Sequence, residues 1–198
     1  MGAPSNPTRE RGETLILCIA IVLVLLAFLA IGFDLPRAVA AKTEQESALN
    51  LAREAEMTPA IGVVAKNSDD PGALVAAELV RSLRAGGYED RIEVWFHEVP
   101  AADLPENRRV FGYEVILISD LDPVFARVLG ATDMHVASSL VSLSMPYAET
   151  VTWRPTNART GAYTAQSGSE SIAFQTKTYS DLPSALRREL VQGTEQAN

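Results

Sequence analysis

Thr14–Phe33 reads TLILCIAIVLVLLAFLAIGF, twenty residues without a charge and with Thr14 as the one conventional polar side chain. As a helix this run would rise about 30 Å, the thickness of a bilayer's hydrocarbon core. A helix is also the only form in which a lone segment satisfies its own backbone in lipid. A buried core helix would be shorter or would show a polar face. The run therefore predicts a transmembrane helix over 14–33, and the remaining chain arranges itself around it. Residues 1–13 form a polar tail with Pro4 and Pro7, expected to be disordered. Residues 34–58 read as a helical stalk or linker, and 59–198 as a soluble α/β domain.

A cleaved signal peptide is the rival reading, because Ala38-Val39-Ala40 is an A-x-A pattern. The apolar run is longer than a signal h-region, and Asp34, Pro36 and Arg37 stand between it and the cut. Cys18 is no lipidation site, since Leu17 and Ile19 replace the small residues a lipobox wants. Arg9 and Arg11 precede the run, and Arg37 and Lys42 follow it, so basic residues do not decide the orientation. A short tail, one span and a C-terminal domain is the layout of a signal anchor. The expected place is the inner (cytoplasmic) membrane, single-pass, with the domain periplasmic. Ala20, Ala27 and Ala30 are small residues through which such a helix could pack on a larger complex.

The chain carries 17 Lys and Arg against 25 Asp and Glu, a net charge of −8, which argues against a nucleic-acid partner. A single cysteine excludes an intramolecular disulfide framework and a cysteine-rich zinc module. The two histidines, His97 and His135, share no metal-ligand motif.

After the apolar run, Asp34 can cap a new helix with Pro36 in its first turn. Strong helix formers continue to Met57, with Val39, Leu49, Ala52 and Met57 as a thin apolar stripe. Such a helix is either a solvated stalk or a docking helix lying on a neighbouring subunit. Thr58-Pro59 ends it.

In the domain, Ile61–Ala65 has the length and composition of a strand. Asp70 is placed to cap a helix from Pro71 to Ala85, in which Ala76, Leu79, Val80 and Leu83 face inward and Glu78, Arg81 and Arg84 face water. Gly86-Gly87 stops it. Ile92, Val94 and Phe96 alternate with polar or half-polar residues in a second strand, and Tyr113–Ser119 is a third, interior strand. This order implies a βαβ first half with a parallel pair. Asp122-Pro123 opens a short helix to Leu129. The second half is richer in hairpin signals: strands at Val136–Met145, Glu149–Arg154 and Ser171–Tyr179, a turn-rich excursion over Asn157–Glu170, and a helix over Leu182–Val191.

Two acidic clusters follow predicted strands, Asp69/Asp70 and Asp120/Asp122. At the carboxyl ends of a parallel sheet, four carboxylates could hold Mg²⁺ or receive a phosphoryl group. The same strings are ordinary helix starts, in which the carboxylates cap backbone amides. No serine lies in a G-x-S-x-G elbow, and Gly161 and Gly168 build no phosphate loop. Arg108-Arg109 and Arg187-Arg188 read as solvated pairs. Trp95, Trp153 and Tyr163 could stack a ligand, although strand aromatics mostly pack in cores. No catalytic residue set emerges, and no cofactor is implied.

The strings IGVVAKNSDDPG, RIEVWFHEV and VILISD, with SIAFQTKT near the end, make residues 60–180 resemble YfiR-like periplasmic domains. The first half is also similar to a receiver-type, flavodoxin-like fold, with no later strand ending in a phosphate-contacting lysine. The cysteines of the YfiR-like family are absent. That resemblance implies a non-catalytic domain outside the cytoplasm that binds and restrains a membrane signalling enzyme.

The expectation is thus a non-catalytic, single-pass accessory or regulatory subunit whose partners are membrane lipid and a larger membrane-protein complex. The alternatives are a periplasmic ligand-sensing domain and a Mg²⁺-dependent phosphoryl-transfer or hydrolytic enzyme using Asp69, Asp70, Asp120 and Asp122.

Overall fold

The computed structural model describes residues 7–56, 64–65, 67–104, 109–143 and 159–197. Its helices are α1 (Pro7–Leu29), α2 (Leu35–Glu56), α3 (Pro71–Ala85) and α4 (Ser184–Ala197). Its strands are β1 (Arg91–Glu98), β2 (Phe111–Leu121), β3 (Met134–Leu143), β4 (Thr160–Ala165) and β5 (Ile172–Thr176). Contacts divide the chain into two compact units. Met1–Ala41 and Asp120–Val136 form one, and Lys42–Ser119 and Ala137–Asn198 form the other.

In the first unit α1 begins at Pro7, so the helix takes in part of the tail expected to be disordered. It runs through the apolar stretch into a π-helical turn, Ala30–Asp34, and on into α2 without a break. Asp34 therefore does not cap a new helix, as the sequence suggests. It closes the π turn and uses its carboxylate elsewhere. Large apolar side chains stand exposed along α1, from Leu15 and Ile16 to Phe28 and Leu29. This helix is long and apolar enough to cross a membrane. The expected helix after Asp122 is a single 3-10 turn, Ala126–Leu129, ended by Gly130 in the left-handed conformation.

The second unit is built on a five-stranded sheet of order β3-β2-β1-β4-β5. β1 pairs antiparallel with both β2 and β4, and β4 pairs antiparallel with β5. This corrects the expected βαβ half with a parallel pair. Of its first strand, residues 61–63 lie outside the described residues, and Val64 and Ala65 are helical. The strands read as second and third, which are β1 and β2, run antiparallel to each other: Ile92 stands opposite Leu117, and Phe96 opposite Tyr113. The strand expected at Glu149–Arg154 lies outside the described residues. Thr160–Ala165, read as part of a turn-rich excursion, is a strand inside the sheet.

One face of the sheet presents Ile92, Val94, Phe96, Val115, Leu117 and Tyr163 to a core shared with Leu79, Val80 and Leu83 of α3. Leu49 and Ala52 of α2 join the same core, and Gln45 beside them is fully buried. The second half of α2 is therefore not a solvated stalk; it packs on its own unit's sheet. The opposite face holds a second core, in which Leu186 and Leu190 of α4 meet Val99, Val110 and Leu182. Burying such side chains supplies most of the favourable free energy of folding, at about 25 cal/mol per Å² of apolar surface.

Local signals explain much of this. Asp70 Oδ1 accepts the Ala73 N–H at 3.0 Å and Pro71 fills the first helical position, as their residue types dictate. Gly87, at φ +90°, supplies the left-handed turn that ends α3, and the Tyr88 N–H then reaches the Leu83 carbonyl. Gly161 has a packing reason. A Cβ there would stand 2.2 Å from the Phe174 ring and 2.7 Å from the Gln175 carbonyl oxygen, so β4 and β5 meet only because it has none.

Candidate functional site

The exposed apolar helix ends in a clamp. Asp34, the first charged residue after the apolar run, is only 3 % exposed. Its Oδ1 accepts the Val124 N–H at 2.9 Å, and its Oδ2 accepts the N–H groups of Phe125 and Ala126 at 3.0 and 2.8 Å. The carboxylate thus satisfies successive amides that open the 3-10 turn, as an N-cap does, but from a residue about ninety positions away. Phe33 and Phe125 meet edge to face with ring centroids 5.6 Å apart. Arg37 Nη1 donates to the Asp122 carbonyl at 3.0 Å. The segment 122–126 is therefore strapped to the π-helical turn that follows α1 and to the start of α2. No motif announces this; the one available signal is an acidic residue placed directly at the end of a long apolar run.

Of the small residues read as helix-packing positions, Ala20 is exposed while Ala27 and Ala30 are half-buried. The 3-10 turn lies against α1.

The acidic candidates each have structural partners. Asp70 caps α3, is ion-paired with Arg159, and accepts the Tyr163 hydroxyl at 3.2 Å. Burial, and then the Asp70 charge, push the Tyr163 hydroxyl well above its ordinary range, so it stays a donor. Asp120 Oδ1 is 2.7 Å from His135 Nδ1, and Asp122 pairs with Arg127 at 3.3 Å; all four side chains are exposed. Asp69 is exposed. Asp69 and Asp70 belong to the second unit, and Asp120 and Asp122 to the first. Among the described residues, no three His, Cys, Asp or Glu side chains gather as a metal-holding group.

Two arginines read as solvated are structural. Arg84 donates to four carbonyls: Tyr88 (2.6 Å) and Asp90 (2.9 Å) through Nη1, Gln166 (2.7 Å) through Nη2, and Ser169 (3.3 Å) through Nε. Arg109, 3 % exposed, forks onto Glu98 with bonds of 2.6 and 3.3 Å and donates to the Ser68 carbonyl at 2.9 Å. Arg108 lies outside the described residues. A buried polar cluster also lies under α2: Gln45 Nε2 donates to Ser119 Oγ at 2.9 Å, and the Tyr88 hydroxyl is 3.4 Å from the same oxygen.

A mainly apolar cleft of about 450 Å³ lies on the α4 side of the sheet, lined by His97, Val99, Tyr179, Leu190, Val191 and Glu195 among others. The His97 ring is buried, its Nδ1 is 2.7 Å from Thr160 Oγ1, and it meets Tyr179 edge to face with centroids 5.1 Å apart. Burial lowers the His97 pKa, which favours the neutral ring. Trp95, read as a stacking candidate, instead packs against the second core, its indole N–H donating to Glu93 at 3.3 Å and Lys177 over its ring at 5.7 Å. Trp153 lies outside the described residues.

No family model, curated protein or solved structure matches this chain. Its function is accordingly read from the apolar helix, the clamp and the cleft themselves.

Proposed function

We propose that the chain is a single-pass membrane protein of the inner (cytoplasmic) membrane. In this reading it is a non-catalytic accessory or regulatory subunit whose extracytoplasmic α/β domain docks on a larger membrane-protein complex. The energy-transducing, secretion and signalling assemblies are the classes in view. The observation that carries the reading is α1 with the π-helical turn that continues it, which together hold twenty consecutive uncharged residues and expose large side chains such as Phe28, at 67 %. Apolar surface on that scale is stable only against lipid or another apolar surface. The accessory role is supported by the structural employment of the buried charges among the described residues, Asp34, Glu98, Arg109 and Glu114, in accepting backbone amides and in ion pairing. The resemblance of residues 60–180 to YfiR-like periplasmic domains supports a protein-binding domain outside the cytoplasm.

Alkaline carbonate extraction and protease accessibility in spheroplasts test the anchor and its orientation. The expected result is a chain that stays in the membrane pellet and loses its sheet unit to added protease. Release by carbonate overturns the anchor, and protease protection overturns the orientation. The complex is tested by native electrophoresis in mild detergent, where a species migrating only as the free chain overturns it.

The cleft at His97 favours a second reading, a ligand-sensing domain. Its test is a thermal-shift screen in which His97→Gln abolishes any stabilisation seen with the parent.

A further inference from the structure

We infer that the strap Pro123–Leu129 is a second membrane-contacting element, dipping into the headgroup and acyl boundary of the bilayer beside the end of α1. The inference rests on α1 spanning the membrane, as proposed above. Three observations carry it. First, the 3-10 turn Ala126–Leu129 lies against α1, which ends at Leu29, four residues before the apolar run ends at Phe33. At 1.5 Å per residue the turn therefore reaches down beside roughly the last 6 Å of apolar helix. Secondly, it is fixed there. Asp34 holds the amides of Val124, Phe125 and Ala126, and Phe33 holds the Phe125 ring. Thirdly, the strap leaves three large apolar side chains exposed, Val124, Val128 (62 % exposed) and Leu129, with Arg127 as the one exposed charge among them. Arg127 and Arg37 are the cations of the same neighbourhood, one paired with the Asp122 side chain and one donating to its carbonyl.

Exposed valines and leucine on a short turn are unfavourable in water, yet suit the depth at which an apolar helix leaves lipid. Lipid is the occupant because the patch is continuous with the exposed apolar surface of α1 in the same unit.

The test uses the full chain in a Cys18→Ser background, with single cysteines at Val24→Cys (mid-run) and Val128→Cys, each carrying an environment-sensitive fluorophore. The pure protein is reconstituted into phosphatidylcholine–phosphatidylglycerol vesicles, with or without lipids bearing a nitroxide near the headgroup or near the chain tip. The expected result is loss of emission at both sites, strongest with the deep nitroxide at position 24 and with the shallow one at position 128. Quenching at 24 without quenching at 128 overturns the strap inference and leaves the anchor standing. That result would point to a protein as the cover for Val128 and Leu129. No quenching at either site overturns both.

Discussion

Arg109 shows how much a single side chain can conceal. It follows Glu106, Asn107 and Arg108, so it reads as solvated, yet it is buried with Glu98 in a two-bond ion pair. Removing one partner leaves the other charged and unpaired, which costs about 3–5 kcal/mol, whereas replacing both by apolar residues is often neutral. Arg109→Met is therefore expected to lower stability by about that amount, with Glu98→Leu in the same chain restoring most of it. Thermal unfolding in detergent of the two variants measures the difference; equal losses would refute the pairing. His97 gives the pH dependence. Its folded pKa is depressed by burial, so the folded state favours the neutral ring. Its contribution is fully present above the unfolded value of about 6.5 and is lost as pH falls below that. The chain should thus melt at a lower temperature at pH 5.5 than at 7.5, and His97→Gln should flatten that part of the profile. The role of Asp70 was legible at this level because capping is local. Asp34 was misread because its amides come from a distant segment.

Among the elements, helices were easier to find than strands were to pair. The three- and four-residue spacing of Leu79, Val80 and Leu83 located α3, and Gly86-Gly87 located its end, because helices are written in short-range periodicity. The direction of β1 against β2 is a long-range property that alternation alone does not encode. β4 went unseen because TGAYTA, with Gly161 and two alanines, looks like a turn. Those small residues are what let the Phe174 ring lie across the strand. Gly161→Ala should therefore destabilise the sheet by about 1–3 kcal/mol, since the ring can swing away but the Gln175 carbonyl cannot. Thermal unfolding of that variant tests this, and an unchanged midpoint would refute it. Likewise α2 read as a stalk because its stripe is thin; the fully buried Gln45 carries no hydrophobic signal at all.

For the molecule as a whole, the sequence made the apolar helix and the α/β class visible, since both follow from composition over long windows. The strap at 122–129 was legible only as a short helix start, and the cleft at His97 not at all, because each is assembled from segments far apart in the chain. One such assembly lies inside the sheet unit. Glu114, buried in β2, accepts the Leu186 N–H at 3.3 Å within the first turn of α4. Helix initiation is the costly step of helix formation, and here the group that rewards it is 72 residues upstream. One carboxylate on the sheet thus ties down the first turn of the C-terminal helix, and that amide loses its acceptor whenever strand and helix separate.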